Sequence, residues 1–171
     1  MPAVTTRLLL LADTHVPRRA RDLPDAVWKL VDDCDLVVHA GDWVDVALLD
    51  RLTERAARVL GCWGNNDSPA LRERLPEFGQ AEVEGVRIGV VHDTGPATGR
   101  EARVDAAFDD VDLLVFGHSH IPWDTVTPAG LRLLNPGSPT DPRRQPRPTC
   151  MTVELTGSGA RSAAVTLHEL L

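Results

Sequence analysis

The sequence has few cysteines, no long apolar run and no excess of positive charge, and each scarcity excludes a class of protein. Its three cysteines, Cys34, Cys62 and Cys150, include no C-x-x-C pair. Neither a secreted disulfide framework nor a thiolate zinc site is therefore expected. The longest early apolar run, residues 8–12, is far shorter than the roughly 20 residues that span a bilayer.

The excess of acidic residues limits the kinds of molecule that the protein surface can bind. The 25 acidic residues outnumber the 18 basic ones, which gives a formal net charge of -7. Extended nucleic-acid binding and attachment to an anionic membrane need a broad positive surface, so we expect neither. The N-terminal residues also lack the positively charged and apolar regions of a signal peptide. A cytoplasmic protein is the expectation, and a small positive site remains open.

Chain length and hydrophobic patterning predict the fold. The 171 residues suit one domain over residues 1–171. Short runs rich in Val and Leu predict buried strands, and stretches with helical spacing lie between them. The strands predicted in this way are residues 7–12, 35–40, 58–62, 86–91 and 113–116, and the helices are residues 25–31 and 44–52. Alternating strands and helices are typical of an α/β protein that carries its ligand site at the strand ends.

The later part of the chain has a different pattern. Short, turn-bounded and often alternating segments predict further strands at residues 81–84, 124–127, 131–134, 149–155 and 163–167. We expect these to form a second, mainly antiparallel sheet. Two stacked mixed sheets flanked by helices make a four-layer α/β/β/α sandwich. Residues 136–148, dense in Pro and Arg, are expected to form a loop.

Histidines and carboxylates cluster at the predicted strand ends. In an extended segment, Asp13 and His15 point the same way, as two ligands of one ion would. His118 and His120 repeat that spacing. In order along the chain, the motifs are Asp13/His15, Gly41/Asp42, Gly64–Asp67, His92, Gly117–His120 and Asn135–Ser138. From composition a D-x-H is expected about 0.6 times by chance and a G-N-x-D about 0.02 times, so the ordered set is what carries the signal.

This ordered set resembles the calcineurin-like metallophosphoesterase superfamily, and within it the small bacterial and archaeal phosphodiesterase branch. The resemblance covers residues 7 to about 155 and implies a four-layer sandwich with a dinuclear metal site. It implies that Asp13, His15, Asp42 and His120 hold the first metal. It also implies that Asp42, Asn65, His92 and His118 hold the second, with Asp42 bridging the two ions.

The types of ligand agree with that assignment. Carboxylate, imidazole and amide donors without thiolate suit Mn, Fe, Zn, Co or Ni, and we take two Mn ions as the first expectation. Two metals about 3.5–4 Å apart activate a bridging hydroxide that attacks phosphorus in line with the leaving group. We therefore predict a divalent-metal-dependent phosphodiesterase acting on a small phosphodiester.

One position departs from many relatives and concerns the proton donor. Asn66 stands where many members of the superfamily have His, and an amide is no general acid. We predict catalytic roles for Asp42 as bridging ligand and for Asn66 as at most a hydrogen-bond donor to substrate. Leaving groups of low pKa should then react best.

Several alternatives remain open from the sequence alone. A phosphomonoesterase or protein phosphatase uses the same ligands, and a subunit of the eukaryotic retromer resembles this fold and acts as a protein-binding scaffold. His39 is interpreted as a packed histidine rather than a ligand. The arginine clusters Arg18/Arg19/Arg21 and Arg143/Arg144/Arg147 fit a solvated face, an anion-recruiting rim or a contact in a homo-oligomer.

Overall fold

Ten strands and four helices make up the part of the chain that the computed structural model describes, residues 4–171. The first three residues, which open the segment examined for a signal peptide, lie outside it. The strands are β1 (Thr6–Leu11), β2 (Leu36–His39), β3 (Val59–Gly61), β4 (Phe78–Val83), β5 (Val86–Val91), β6 (Leu113–Val115), β7 (Trp123–Val126), β8 (Arg132–Asn135), β9 (Thr149–Leu155) and β10 (Ala164–Glu169). The helices are α1 (Asp25–Asp33), α2 (Val46–Arg55), α3 (Pro69–Arg74) and α4 (Arg100–Ala107).

The strands form two mixed sheets of five strands each, as predicted. The first sheet has the order β10-β9-β1-β2-β3 and the second β4-β5-β6-β8-β7. In the first, β1, β2 and β3 are parallel, whereas β9 is antiparallel to both of its neighbours. In the second, β6 is parallel to both neighbours and the two outer pairs are antiparallel.

The expected division of strands between the sheets was wrong. β9 and β10, predicted for the second sheet, extend the first, while β5 and β6 belong to the second. The second sheet is therefore mixed rather than mainly antiparallel. The reason is that β9 pairs with β1 over five residues, setting Met151 and Val153 opposite Leu10 and Leu8 in the buried layer. Order along the chain does not reveal such long-range partners.

The main core lies between the two sheets. Leu8, Leu10 and Val38 of the first sheet pack with Ile88 and Val115 of the second. A second apolar cluster joins the other face of the first sheet to α1 and α2, and a third joins the second sheet to α4. The layers are therefore α/β/β/α. β1 is buried on both faces, which explains why Leu8–Leu11 forms a continuous apolar run.

Two of the helices were not predicted, because both are short. α3 has a start signal in its sequence: the Ser68 side chain accepts a hydrogen bond from the Leu71 backbone N–H, and Pro69 opens the helix. α4 follows Gly99, whose left-handed φ of 73° favours glycine. It buries only Arg100 and Val104, too few residues for a visible apolar stripe. Within residues 4–171, no helix is long and apolar enough to cross a bilayer.

The carboxyl ends of strands from both sheets meet at one edge. Leu11 lies level with His39 and His39 with Gly61, so β1, β2 and β3 end together. A hydrogen bond from His92 Nδ1 to the Ala40 carbonyl (2.7 Å) ties the end of β5 in the second sheet to the end of β2 in the first. The loops that follow these strands therefore converge on a single region.

Candidate metal centre

The loops at this edge have a left-handed backbone. Asp13 and His15 have φ values of 55° and 46°, so the expected extended conformation of this motif was wrong. The same conformation occurs at His118 (71°), His120 (61°) and Asp42 (60°). Asp and His are among the residues that tolerate positive φ best. Each such residue still lowers the folding free energy gain by about 1–3 kcal/mol, so the surrounding contacts must hold the backbone in this conformation. Tight loops, rather than strand alternation, therefore aim these side chains.

Asp13, His15 and His120 form what we term the inner cluster. One ligand atom from each lies within 4.8 Å of the others, and the three residues are at most 5% exposed. The distance from His120 Nε2 to Asp13 Oδ1 is 3.6 Å. Both Asp13 oxygens, His15 Nε2 and His120 Nε2 have no hydrogen-bond partner in residues 4–171. Buried polar atoms are normally paired, and the chemistry of these carboxylate and imidazole donors fits a bound cation.

The protonation of the inner cluster suits a cation. The Nδ1–H of His120 donates to the backbone carbonyl of Asp141, which leaves the lone pair of Nε2 facing Asp13. Burial lowers the pKa of His120 to about 4, so its ring is neutral at pH 7. Burial raises the pKa of Asp13 to about 8 in the absence of metal. The charge of His92, whose Nε2 is 3.9 Å from Asp13 Oδ1, lowers that pKa but does not outweigh burial, so a bound cation would further stabilise the ionised carboxylate.

Asp42 lies between the inner cluster and the other predicted ligands. Its Oδ2 is 3.5 Å from His15 Nε2 and 3.4 Å from His92 Nε2. Although burial raises the pKa of Asp42, the contact with His92 and two hydrogen bonds from Asn66 outweigh it and hold the pKa well below its usual range. Asp42 is therefore ionised and is the carboxylate that both groups of ligands share.

Asn65, His92 and His118 form the outer cluster. His92 Nε2 is 2.9 Å from Asn65 Oδ1, and His118 Nδ1 is 3.3 Å from both of those atoms. Burial lowers the pKa of His92, but the contact with Asp42 and the charges of Asp13 and Asp42 raise it to about 9. The proton on Nε2 thus occupies the side of the ring that a cation would take. Asn65 is exposed, and the His118 side chain is 47% exposed.

The structure brings all seven predicted ligands together, and it gives Asn66 a contact that the sequence did not indicate. Its backbone N–H donates to Asp42 Oδ1 and its side-chain amide to Asp42 Oδ2, each at 2.9 Å. Asn66 therefore orients the shared carboxylate. Its predicted contact with substrate stays a prediction.

Asp67 is the residue whose role sequence analysis missed. Its buried carboxylate accepts hydrogen bonds from the backbone N–H groups of Asp42 (3.0 Å), Val44 (2.7 Å) and Gly64 (2.7 Å). These three hydrogen bonds join the loop after β2 to the loop after β3. They also hold Val44 at a φ of 84°, which is unusual for a β-branched residue. The signal was visible as the last residue of the G-N-x-D motif.

Gly64 permits this close approach. A Cβ atom at that position would collide with Asp42 Oδ1 and with the Asp42 backbone nitrogen. A glycine is therefore required for the loop after β3 to lie against the shared carboxylate.

His39 is the packed histidine that we expected. Its Nδ1 accepts a hydrogen bond from the Gly41 backbone N–H and its Nε2 donates to the Thr14 hydroxyl, both at 3.1 Å. The ring stacks on Trp43 with centroids 3.6 Å apart. Both nitrogens are thus occupied in holding the loops after β1 and β2.

The Asn135–Ser138 segment supports the other loops. Asn135 Nδ2 donates to the Gly117 carbonyl (3.2 Å), and Ser138 Oγ donates to the Asp13 carbonyl (2.7 Å). The segment is therefore more than a turn, because it fixes the backbone of two ligand loops.

A cavity of about 130 Å³ opens beside the outer cluster, and we term it the outer cavity. Its lining consists of Trp63, Asn65, Glu77, Val91, His92, Asp93 and His118. Trp63 forms one wall of the cavity, with the Arg72 guanidinium stacked 4.1 Å from the ring centroid. Trp43, by contrast, is fully buried and does not line the cavity.

The comparisons agree with this geometry. Residues 7–158 match the profile described as the calcineurin-like phosphoesterase superfamily domain. A probable metallophosphoesterase of Methanocaldococcus jannaschii is 36% identical over 137 residues, which cover 78% of this chain and 68% of the relative. The predicted resemblance to the calcineurin-like metallophosphoesterase superfamily is thereby confirmed.

Two solved structures show the same architecture. A Thermotoga maritima protein solved by solution NMR is 34% identical with a TM-score of 0.74, and the match covers 96% of this chain and 99% of that one. Vacuolar protein sorting 29 from Cryptosporidium parvum has a TM-score of 0.78 at 21% identity, with 97% and 98% covered. The second likeness concerns the fold alone.

Proposed function

Because the chain belongs to the calcineurin-like phosphoesterase superfamily, we propose that it is a divalent-metal-dependent phosphodiesterase acting on a small phosphodiester. Asp13, His15, Asp42 and His120 would hold one ion, and Asp42, Asn65, His92 and His118 a second, with Mn the first expectation. The observation that carries the proposal is the inner cluster, whose four buried ligand atoms have no partner in the described chain.

Each part of the centre has a definable task. Bound divalent ions supply activation of water and neutralisation of phosphoryl charge. The chain's own contribution is to fix the donors beforehand: the Asp141 carbonyl sets the tautomer of His120, the Ala40 carbonyl orients His92, and Asn66 holds both oxygens of Asp42. Such support keeps ligands in place without rearrangement during the reaction.

The surroundings favour a diester over a monoester. The outer cavity gives the second substituent of a diester a place beside the outer cluster. The carboxylates of Glu77 and Asp93 on its lining oppose the second negative charge that a monoester carries. Asn66 provides no titratable proton for the departing oxygen, which again favours leaving groups of low pKa.

Turnover of paired substrates tests this proposal. Protein reconstituted with Mn should hydrolyse bis(p-nitrophenyl) phosphate with a kcat/KM at least about tenfold above that for p-nitrophenyl phosphate. Asp42→Ala and His92→Ala should abolish both activities, because each removes a ligand that the other residues do not replace. Asp33→Ala, which changes an exposed carboxylate at the end of α1, is the matched control and should retain activity.

Two results would contradict the proposal. Absence of turnover with Mn, Fe, Co, Ni and Zn would leave the protein-binding scaffold as the better account, and a preference for the monoester would favour a phosphatase. As for location, we propose the cytoplasm, since all three cysteines are buried free thiols, as a reducing compartment would leave them.

A further inference from the structure

Residues 136–148 form a loop that is tied to the inner cluster at three points. Ser138 Oγ donates to the Asp13 carbonyl (2.7 Å), and Thr140 Oγ1 donates to the Thr14 carbonyl (2.5 Å). The Asp141 carbonyl accepts from His120 Nδ1. The first half of the loop is thus fixed against the backbone of the ligand loops.

This attachment places Arg143 beside the inner cluster. Two residues of chain span at most about 7 Å, so the backbone of Arg143 stays close to the Asp141 carbonyl that touches His120. Its left-handed φ of 53° turns the chain directly after the attachment point.

The three arginines of this loop differ in their partners. Arg147 Nε lies 3.8 Å from a Glu169 carboxylate oxygen, whereas Arg143 and Arg144 form no ion pair and no side-chain hydrogen bond within residues 4–171. Nearby Arg19 lies 3.7 Å from Asp141. The Arg143 side chain is therefore exposed, follows the attachment point at Asp141 by two residues, and forms no ion pair with a carboxylate of the described chain.

We propose that Arg143 binds a non-bridging oxygen of the substrate's phosphoryl group, from the inner-cluster side of the centre. The proposal rests on the function proposed above. A guanidinium suits this task because it is permanently charged and presents paired N–H donors that match phosphate oxygens. The outer cavity and Arg143 then lie on opposite clusters, one taking a substituent of the diester and the other its anionic oxygen.

Variants of two adjacent arginines test the proposal. In the metal-loaded protein, Arg143→Ala should lower kcat/KM for bis(p-nitrophenyl) phosphate by about 10- to 100-fold, as loss of a hydrogen bond to a charged group does. Inhibition by inorganic phosphate should weaken by a similar factor, which a purely structural role in the loop would not cause. Arg143→Lys should recover part of both losses, since it keeps the charge without the paired donors.

Arg144→Ala is the matched control, because that neighbour is equally exposed, also forms no ion pair within residues 4–171, and lies one residue further from the attachment point at Asp141. It should stay within about twofold of wild type. Metal content and thermal stability of all variants should match wild type. An active wild type with Arg143→Ala unchanged in both turnover and phosphate inhibition would overturn the inference and leave the proposed function standing.

If the wild type is inactive, the proposed function fails, and calorimetric titration of phosphate into the metal-loaded proteins still decides the role of Arg143. Weaker phosphate binding in Arg143→Ala than in Arg144→Ala would support it. Equal affinities in the two variants would overturn it.

Discussion

The inner and outer clusters use similar residue types in opposite surroundings. Asp13, His15 and His120 are buried and leave four ligand atoms without partners. In the outer cluster, Asn65 and His118 are exposed. The nitrogen atoms of His92 and His118 lie within hydrogen-bonding distance of Asn65 Oδ1. The polar atoms of the inner cluster therefore gain more from a bound cation than those of the outer cluster, which already have hydrogen-bond partners.

This difference assigns the two clusters separate tasks. A cation would give the unpaired polar atoms of the inner cluster a partner. We therefore expect the first metal ion to bind at the inner cluster and to bind there more tightly than at the outer cluster. The outer cluster lies beside the outer cavity and is partly exposed to solvent, so we expect it to meet the substrate. Four predictions follow from this contrast, beginning with the largest effect.

Asp13→Asn should separate activity from stability. Loss of the inner carboxylate should lower kcat by about 100- to 1000-fold, comparable to removal of a key charge-stabilising group. Burial raises the pKa of Asp13 to about 8, so ionising it costs stability as pH rises from about 4 to 8. The metal-free variant should therefore unfold at the same or a higher temperature than wild type at pH 8, as measured by thermal denaturation in EDTA. A clear drop in melting temperature would refute the idea that this carboxylate is destabilising without metal.

Metal affinity should rise with pH. Below pH 8, Asp13 and His92 hold protons that a cation must displace, since their pKa values are about 8 and about 9. Competition by one proton alone predicts an increase of about 100-fold between pH 6 and 8. His120, with its pKa of about 4, should add nothing in this range. Calorimetry in buffers of different ionisation enthalpy measures the released protons, and a pH-independent affinity would contradict the predicted protonation.

Paired histidine variants compare the clusters directly. His120→Ala should weaken binding of the tighter ion by more than about 10- to 100-fold, the range seen even for supporting residues of metal sites. His118→Ala should leave that ion in place and lower turnover by weakening the second. Equilibrium dialysis measures both, and equal losses of the tighter ion in the two variants would remove the distinction between clusters.

Asn66→Ala should have the smallest effect. It removes one side-chain hydrogen bond to Asp42 while the backbone bond remains, so turnover should fall by about three- to tenfold. The dependence of rate on leaving-group pKa should keep the same slope, because neither protein has a proton donor at this position. A steeper slope in the variant would show that Asn66 assists the departing oxygen.

The sequence predicted the chemistry of the centre better than the path of the chain. The seven ligand positions were predicted from the resemblance of the ordered motifs to the superfamily, and the motifs were noticed because they follow predicted strands. The extended geometry expected at Asp13 and His15 was wrong because the positive φ angles depend on contacts with distant loops, such as the bond from the Asp13 backbone N–H to the Gly41 carbonyl.

The partners of β9 and the role of Asp67 were missed for the same reason. β9 reaches β1 from the far end of the chain, and the Asp67 carboxylate acts on the backbone of Asp42, 25 residues earlier. Local periodicity carries no information about such contacts. Arg143 and Arg147 belong to one arginine cluster and look alike in sequence, and only the folded structure shows that Arg147 lies near Glu169 while Arg143 has no such partner in the described chain.

The most direct test of the two-cluster account is activity measured against the number of Mn ions bound per chain. Metal-free protein is titrated with Mn while bound metal and hydrolysis of bis(p-nitrophenyl) phosphate are followed together. The account predicts a first, tighter ion that produces little activity and a second that brings full turnover. Full activity with one ion bound, or none with two, would contradict it.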